Sequence, residues 1–428
     1  MKVLILSDEV WNDDLHGNNV LSNWFDGSNL ELANLYCSPG LPKNNCCKLY
    51  FQVTDSMMFF SLLGRKAGEK FNLDDTPKIK ESNLVADHEP KIYSFLRAVS
   101  KNTEFFRFAR ELIWSLGGYN TSEIKSFIED FNPDVIFSTR RGTLKFLRLE
   151  RVIKKLSNKP LIAFTADDEY STDLISYSPL FWLSRYFYRY MFRKQVHLYS
   201  SYCFFSEDQA KYYQEEFNLR THLLLKGGEF KDYDSSKSVG RPIRLIYAGK
   251  LYVGRWQTLS KIRSALSLIN TNGLKIVLDI YTKDLVSHEQ YTQLHDGLNS
   301  YIRGGVSADE LQSVYCNADI ALHVESFDKV NSALVKYSFS TKIIDCMSSG
   351  CAVMAISSPS NAGYKYLKTN DLAFCVEAIC EIESELRKIA SNPFLISEYK
   401  EKVWKIGSKK HDKKSTLNQL LGILKSAF

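Results

Sequence analysis

The segment Phe339 to Gly350 (FSTKIIDCMSSG) sets a Ser-Thr-Lys triplet, one acid and a small-residue turn ahead of the apolar run CAVMAI. A helix starting at Ser340 and Thr341 would present unpaired N–H groups and a positive dipole end, which suits a phosphate. Lys342 adds charge at that point. Asp345 shares a helical face with Lys342; it can accept from two ribose hydroxyls or simply pair with that lysine. Earlier in the chain, Gly249-Lys250 and Gly254-Arg255 stand at another strand-to-helix loop. Gly249 would let a ligand approach the backbone closely. Lys250 and Arg255 could grip a diphosphate, Arg255 through a bidentate fork, or be two exposed surface cations.

Positioning these groups requires strand ends, and the chain supplies them. Short apolar runs alternate with longer helical patterns, as in βαβ units with parallel sheets. Strands are predicted at Val3–Ser7, Leu32–Cys37, Lys48–Val53, Asp134–Ser138, Leu161–Thr165, Tyr202–Ser206 and His222–Leu225. Helical patterns lie at Phe95–Leu116, Thr143–Leu156, Pro179–Val196 and Asp208–Glu216. The polar stretch EFKDYDSSKSVGRP reads as a linker, and the alternation restarts at IRLIYAGK. The expected architecture is α/β: two doubly wound, Rossmann-like domains, 1–235 and 236–405, and a terminal helix over 406–428. Ligands of such sheets bind at the carboxyl ends of the strands, so a cleft between two such ends is the expected site.

Composition narrows the class. The 428 residues are 44% hydrophobic and 24% charged, with a net charge of +6, too mild to demand a polyanionic partner. Nine cysteines without a C-x-x-C spacing indicate neither a disulfide framework nor a zinc site, and suit reduced, cytoplasmic thiols. MKVLILSDEV reads as a first strand and not as a signal peptide, and there is no apolar run long enough to span a bilayer.

A further segment, YIRGGVSADELQSVYCNADIAL, ends a strand at Gly304-Gly305 and opens a helix with Ser307 and Glu310 as a capping box. Together, GK…R, GGVSADEL, NADIAL and FSTKIIDCMSSGCAV resemble the donor-binding domain of GT-B glycosyltransferases. They are most similar to the retaining family 4 enzymes of bacterial surface-polysaccharide assembly. The two cations of the first motif are interchanged: Lys250 takes the family's Arg position and Arg255 its Lys position. The first half matches less closely, through MKVLILSDEVWNDDLHGNN with Gly17, PLIAFTADDEY and CFFSEDQAKYY; the tail KKHDKKSTLNQLLGIL is similar to the family's last helix, which crosses back onto the first domain.

The resemblance implies a GT-B fold whose domains face each other across a cleft, and sugar transfer with retention from a nucleotide-sugar co-substrate, UDP-linked, to a growing cell-surface glycan or lipid-linked saccharide. Gly17, Gly249, Lys250, Arg255, Gly305, Val306, Ser340, Thr341, Lys342 and Asp345 would hold the donor nucleotide, Asp345 its ribose. Lys250 and Arg255 would also stabilise the leaving diphosphate, so no metal or other cofactor is expected. The Asp pairs at 13–14, 74–75 and 167–168 suit a metal-dependent fold with one nucleotide domain, which leaves the second α/β restart unexplained. Many relatives carry an earlier acid where this chain has Tyr337; Glu325, after strand DIALHV, is the candidate to take its place against the donor sugar. The runner-up activities are a nucleotide-sugar epimerase of the same fold and a non-catalytic partner protein.

On the acceptor side, Asp167 and Asp168 follow a predicted strand and are candidates to orient a sugar, or to cap their own loop. Arg140 and Arg141 follow strand DVIFS, and Arg185, Arg189 and Arg193 form one stripe on an aromatic-rich helix. Such basic, aromatic amphipathy fits an anionic membrane surface, on the inner face of the plasma membrane, or a lipid-linked diphosphate; it equally fits a core-facing aromatic helix with a solvated basic edge. A nucleic-acid partner is not expected, since no recognisable module accompanies these cations.

Overall fold

The computed structural model describes residues 1–14, 20–75, 104–231 and 238–428. The apolar runs become strands because both faces of each run are covered. In β1 (Lys2–Ser7), Val3 to Leu6 are fully buried; β13 (Ala352–Ile356) is fully buried too. The remaining strands of the first sheet are β2 (Glu31–Tyr36), β3 (Leu49–Gln52), β4 (Glu69–Asn72), β5 (Val135–Thr139), β6 (Leu161–Thr165), β7 (Ser201–Phe204) and β8 (Thr221–Leu223). Their order is β4-β3-β2-β1-β5-β6-β7-β8, and all neighbours pair in parallel except β3 with β4. The antiparallel edge strand β4, EKFN, has no apolar run and is not among the predicted strands.

The second sheet comprises β9 (Ile243–Ala248), β10 (Ile276–Tyr281), β11 (Ser300–Gly304), β12 (Ile320–Val324), β13 and β14 (Phe374–Val376). It is parallel throughout, in the order β11-β10-β9-β12-β13-β14. Strand order therefore reverses at β1/β5 in one sheet and at β9/β12 in the other, and such switch points are where open α/β sheets bind ligands.

The chain forms two compact units. The first holds Met1–Thr172, Ser176–Leu224 and Leu417–Phe428; the second holds Asp173–Ile175 and Leu225–Thr416. The tail is two helices, Phe394–Lys410 and Lys413–Lys425, broken at His411 and Asp412. Leu420, Ile423 and Leu424 of the last helix are buried, which explains why the final turns belong to the first unit.

Candidate nucleotide site

In the second unit the site grows out of the β9/β12 switch point. Past β9 the chain turns sharply: Val253 and Gly254 both take positive φ, 58° and 71°, and Arg255 then opens the helix Arg255–Ile269. A β-branched residue in the left-handed region is strained. Gly254 is required sterically as well, since a Cβ there would stand 2.5 Å from Ser326 Oγ. The turn delivers Arg255 to Glu325, the residue after β12. Nε donates to Oε2 at 2.8 Å and Nη2 to Oε1 at 2.9 Å, with 13% and 4% of the two side chains exposed. Thr258 Oγ1 donates to the Glu325 carbonyl at 2.9 Å. Burial alone would lower the Arg255 pKa, but the Glu325 carboxylate outweighs it and holds the guanidinium firmly charged.

The expected second cation of this grip is Lys250. Its side chain is exposed, with Nζ 5.5 Å from the Tyr252 ring, while its carbonyl accepts from the Tyr247 hydroxyl. The cation that joins Arg255 is Lys342, from the helix Lys342–Ser348. Its ammonium lies over Gly249, in space that any larger residue's Cβ would fill, and 5.5 Å from the Tyr247 ring. No carboxylate among the described residues pairs with it. Burial, then the nearby Arg255 charge, push its pKa down to about 8, only partly opposed by Glu325. Two cations thus share one fully engaged carboxylate, an arrangement short of negative charge.

Asp345, in the first turn of the same helix, does not pair with Lys342. Its Oδ1 accepts from Lys226 Nζ at 2.6 Å. Ser340 and Thr341 precede this helix, and the Thr341 side chain makes no cap hydrogen bond. Gly305 and Val306 follow β11, where Ser307 and Glu310 form the predicted capping box. Glu325, the candidate for contact with a donor sugar, has both oxygens engaged by Arg255 and fixes the direction of that guanidinium. Tyr337 donates to Asp173 Oδ2 at 2.8 Å. Gly17 lies outside the described residues.

The first unit corrects several expectations. Asp168 accepts from the Tyr170 and Ser171 amides at 3.0 and 2.8 Å and from the Ser171 hydroxyl. It also pairs with Arg185 at 3.2 Å, leaving 5% of its side chain exposed. This is loop capping, not a free catalytic carboxylate. Asp167 is exposed, and its carbonyl accepts from Gln209 Nε2. In the other acid pairs, Asp14 and Asp74 form exposed ion pairs with Lys43 and Lys48.

Arg140 cannot meet an acceptor or a membrane, because its side chain is 0% exposed. It lies between Glu150 and Glu169 and donates to the Tyr199 and Tyr188 hydroxyls at 2.7 and 2.8 Å. Arg141 is exposed and pairs with Glu9 at 2.7 Å. The arginine stripe of the helix Pro179–Gln195 also turns toward the protein. Arg185 donates to the Asp168 and Ser171 carbonyls, Arg189 to the Tyr170 carbonyl, and Arg193 to the Tyr170 hydroxyl. Besides Ser184, Arg193 and Lys194, this helix exposes four large apolar or aromatic side chains: Leu183, Tyr186, Phe187 and Tyr190.

Sequence reasoning missed a polar cluster at the carboxyl ends of β1 and β3. Lys145 pairs with Asp8, and Asp55 accepts from Arg110 Nε at 3.0 Å and Trp114 Nε1 at 2.6 Å. Its members are spread over four separate elements with no shared motif, so spacing carried no signal. Lys226 was missed for the same reason.

Neither a protein-family model nor a curated protein sequence matches this chain. Solved structures do. Anabaena HepE in complex with UDP and glucose matches over 100% of both chains, at 12% identity and TM-score 0.58. Sucrose-phosphate synthase from Thermosynechococcus elongatus matches over 99% of this chain and 98% of its own, at 8% identity and TM-score 0.60. S. aureus TarM, as a G117R mutant in complex with Fondaparinux, alpha-GlcNAc-glycerol and UDP, matches over 72% of this chain at 11% identity and TM-score 0.50; the chain spans 59% of TarM. It spans 61% of the matched chain of a GtfA/B complex. At such identities the likeness establishes the fold: two parallel-dominated sheets in the GT-B arrangement of strands and helices.

Proposed function

We propose that the protein transfers a sugar from a nucleotide-sugar donor, UDP-linked, to a saccharide acceptor. The observation that carries this reading is the pairing of Arg255 with the carboxylate-free Lys342 at the β9/β12 switch point. A buried ammonium without a counter-ion is costly unless an anion arrives. A nucleotide diphosphate supplies that anion, and Asp345 on the same helix meets its ribose. The solved complexes of HepE with UDP-glucose and of TarM with UDP support the choice of nucleotide.

In this reading Arg255 and Lys342 stabilise charge as it develops on the leaving diphosphate, the electrostatic contribution that usually dominates such chemistry. Protein cations meet that charge, so the mechanism calls for no metal. The diphosphate, released on the face the acceptor approaches, takes up the acceptor's proton, and the new bond forms with retention, as in the family 4 enzymes. The acceptor is a growing cell-surface glycan or a lipid-linked saccharide, handled in the cytoplasm at the inner face of the plasma membrane. Supporting a membrane-bound acceptor, the first unit exposes Phe108, Leu112 and Leu116 on the helix Glu104–Leu116 beside the apolar face of Pro179–Gln195, a helix without a single acid.

The test is release of UDP from a panel of UDP-sugars by the purified protein. Release is expected with at least one donor and is lost in Arg255→Ala and Asp345→Ala. UDP binding without turnover of any donor would instead favour a non-catalytic partner. Cosedimentation with phosphatidylglycerol vesicles checks the membrane part, and Leu183→Ser with Phe187→Ser should abolish it.

A further inference from the structure

Asp345 does not stand alone, and its partner lies on the segment with which the chain enters the second unit. The first unit is left at Leu224, and Lys226 is the second residue of the stretch that follows. The next two residues are glycines held flush against the second unit. The Gly228 amide donates to the His411 carbonyl at 2.7 Å, and the Lys413 amide donates to the Gly228 carbonyl at 3.1 Å. A Cβ on Gly227 would stand 2.7 Å from Lys413 Cα, and one on Gly228 3.1 Å from Ile344 Cγ2. No side chain fits, so the backbone of this segment is fixed against the helix that carries Asp345.

From that anchored base Lys226 reaches the Asp345 carboxylate at 2.6 Å, with 14% and 26% of the two side chains exposed. An exposed pair on two mobile side chains contributes little; here one partner's backbone is clamped and both heads are mostly covered. Lys226 occupies Oδ1, and among the described residues Oδ2 carries no hydrogen bond. Resting on the nucleotide reading above, we propose that Lys226 is a positioning residue: it holds the Asp345 carboxylate turned so that Oδ2 accepts from the ribose hydroxyls. The segment 225–228 thereby registers whether the ribose is present.

Calorimetric titration with UDP and with 2′,3′-dideoxy-UDP tests this on the full-length protein. The wild type should bind UDP about tenfold more tightly than the dideoxy analogue, as for hydrogen bonds to a charged group. Lys226→Met and Lys226→Gln should weaken UDP about tenfold, leave the analogue unchanged, and bring their ratio near one; Lys226→Arg should restore it. Amide exchange at 225–228 should slow on adding UDP in the wild type and not in Lys226→Met. A merely structural lysine would weaken both nucleotides equally, and an unchanged ratio in the folded variants, or none to begin with, overturns the inference while the nucleotide reading stands. Wild-type protein that binds no UDP overturns both.

Discussion

Replacing Lys342 with Met should stabilise the nucleotide-free protein while it damages nucleotide binding. The Lys342 ammonium has a folded-state pKa of about 8 against an ordinary lysine value of 10.5, with burial the first cause and Arg255 the second. That displacement corresponds to about 3 kcal/mol of folding free energy. The sign follows from proton counts. Between pH 8 and 10.5 the unfolded chain holds the proton and the folded one does not, so stability rises with pH across that window. At pH 7 both states are protonated and the folded state carries the whole penalty. Lys342→Met removes it, so urea titration at pH 7 should show a gain of up to about 3 kcal/mol. UDP needs the charged form, so wild-type affinity should be flat below pH 8 and fall up to about tenfold per pH unit above it. Lys342→Met should bind UDP at least about tenfold more weakly at pH 7 and lack that pH dependence. A less stable Lys342→Met protein, or one with the wild-type affinity profile from pH 7 to 9.5, would refute the reasoning.

Three other outcomes follow from the same geometry. Asp168→Ala removes two amide caps and the partner of Arg185, and should destabilise the first unit by about 2 kcal/mol in a melting experiment without altering UDP affinity. Arg140→Met leaves Glu150 and Glu169 buried without a cation and should cost about 3–5 kcal/mol, read as loss of soluble protein or a lowered denaturation midpoint; Glu169, already raised by burial, then protonates. His323 and His411 are both held neutral by burial, with pKa values of about 4. Unfolded chains take up those protons from pH 6.5 downward, so stability complete above pH 6.5 should fall toward pH 4, by about 3 kcal/mol for each. Acid titrations of His323→Gln and His411→Gln should show a shallower fall.

The fold was legible where burial is two-sided. VLIL, AVMAI and IALHV are strands enclosed on both faces, and continuous apolar runs report that environment directly. EKFN in β4 is an edge strand with half-exposed residues, so no run announces it. At the site, the motif positions of Arg255 and Asp345 were readable, but their partners were not. Lys250 and Lys342 are equally good cations in a sequence; only the folded chain, which sets the start of the helix Lys342–Ser348 against Gly249, separates the exposed one from the buried one. The arginines at 185, 189 and 193 form a real stripe, and periodicity locates it on one face. It could not say that Arg185 and Arg189 turn inward, because they donate to main-chain carbonyls at Asp168, Ser171 and Tyr170, which carry no residue-type signature. Asp168 posed the same difficulty: a capping acid and a catalytic acid look alike until the amides around them are placed.

The first unit is discontinuous along the chain, taking its last piece from Leu417–Phe428, whereas the second is almost one uninterrupted stretch. During vectorial synthesis the second unit is therefore finished while the unit begun earlier still lacks Leu420 and Leu424 from its core. The firstborn unit is completed last. An amino-terminal fragment ending near Leu224 would expose the apolar surface these residues cover, while a fragment spanning 225–416 would keep almost every contact of its own, making it the natural piece to express alone.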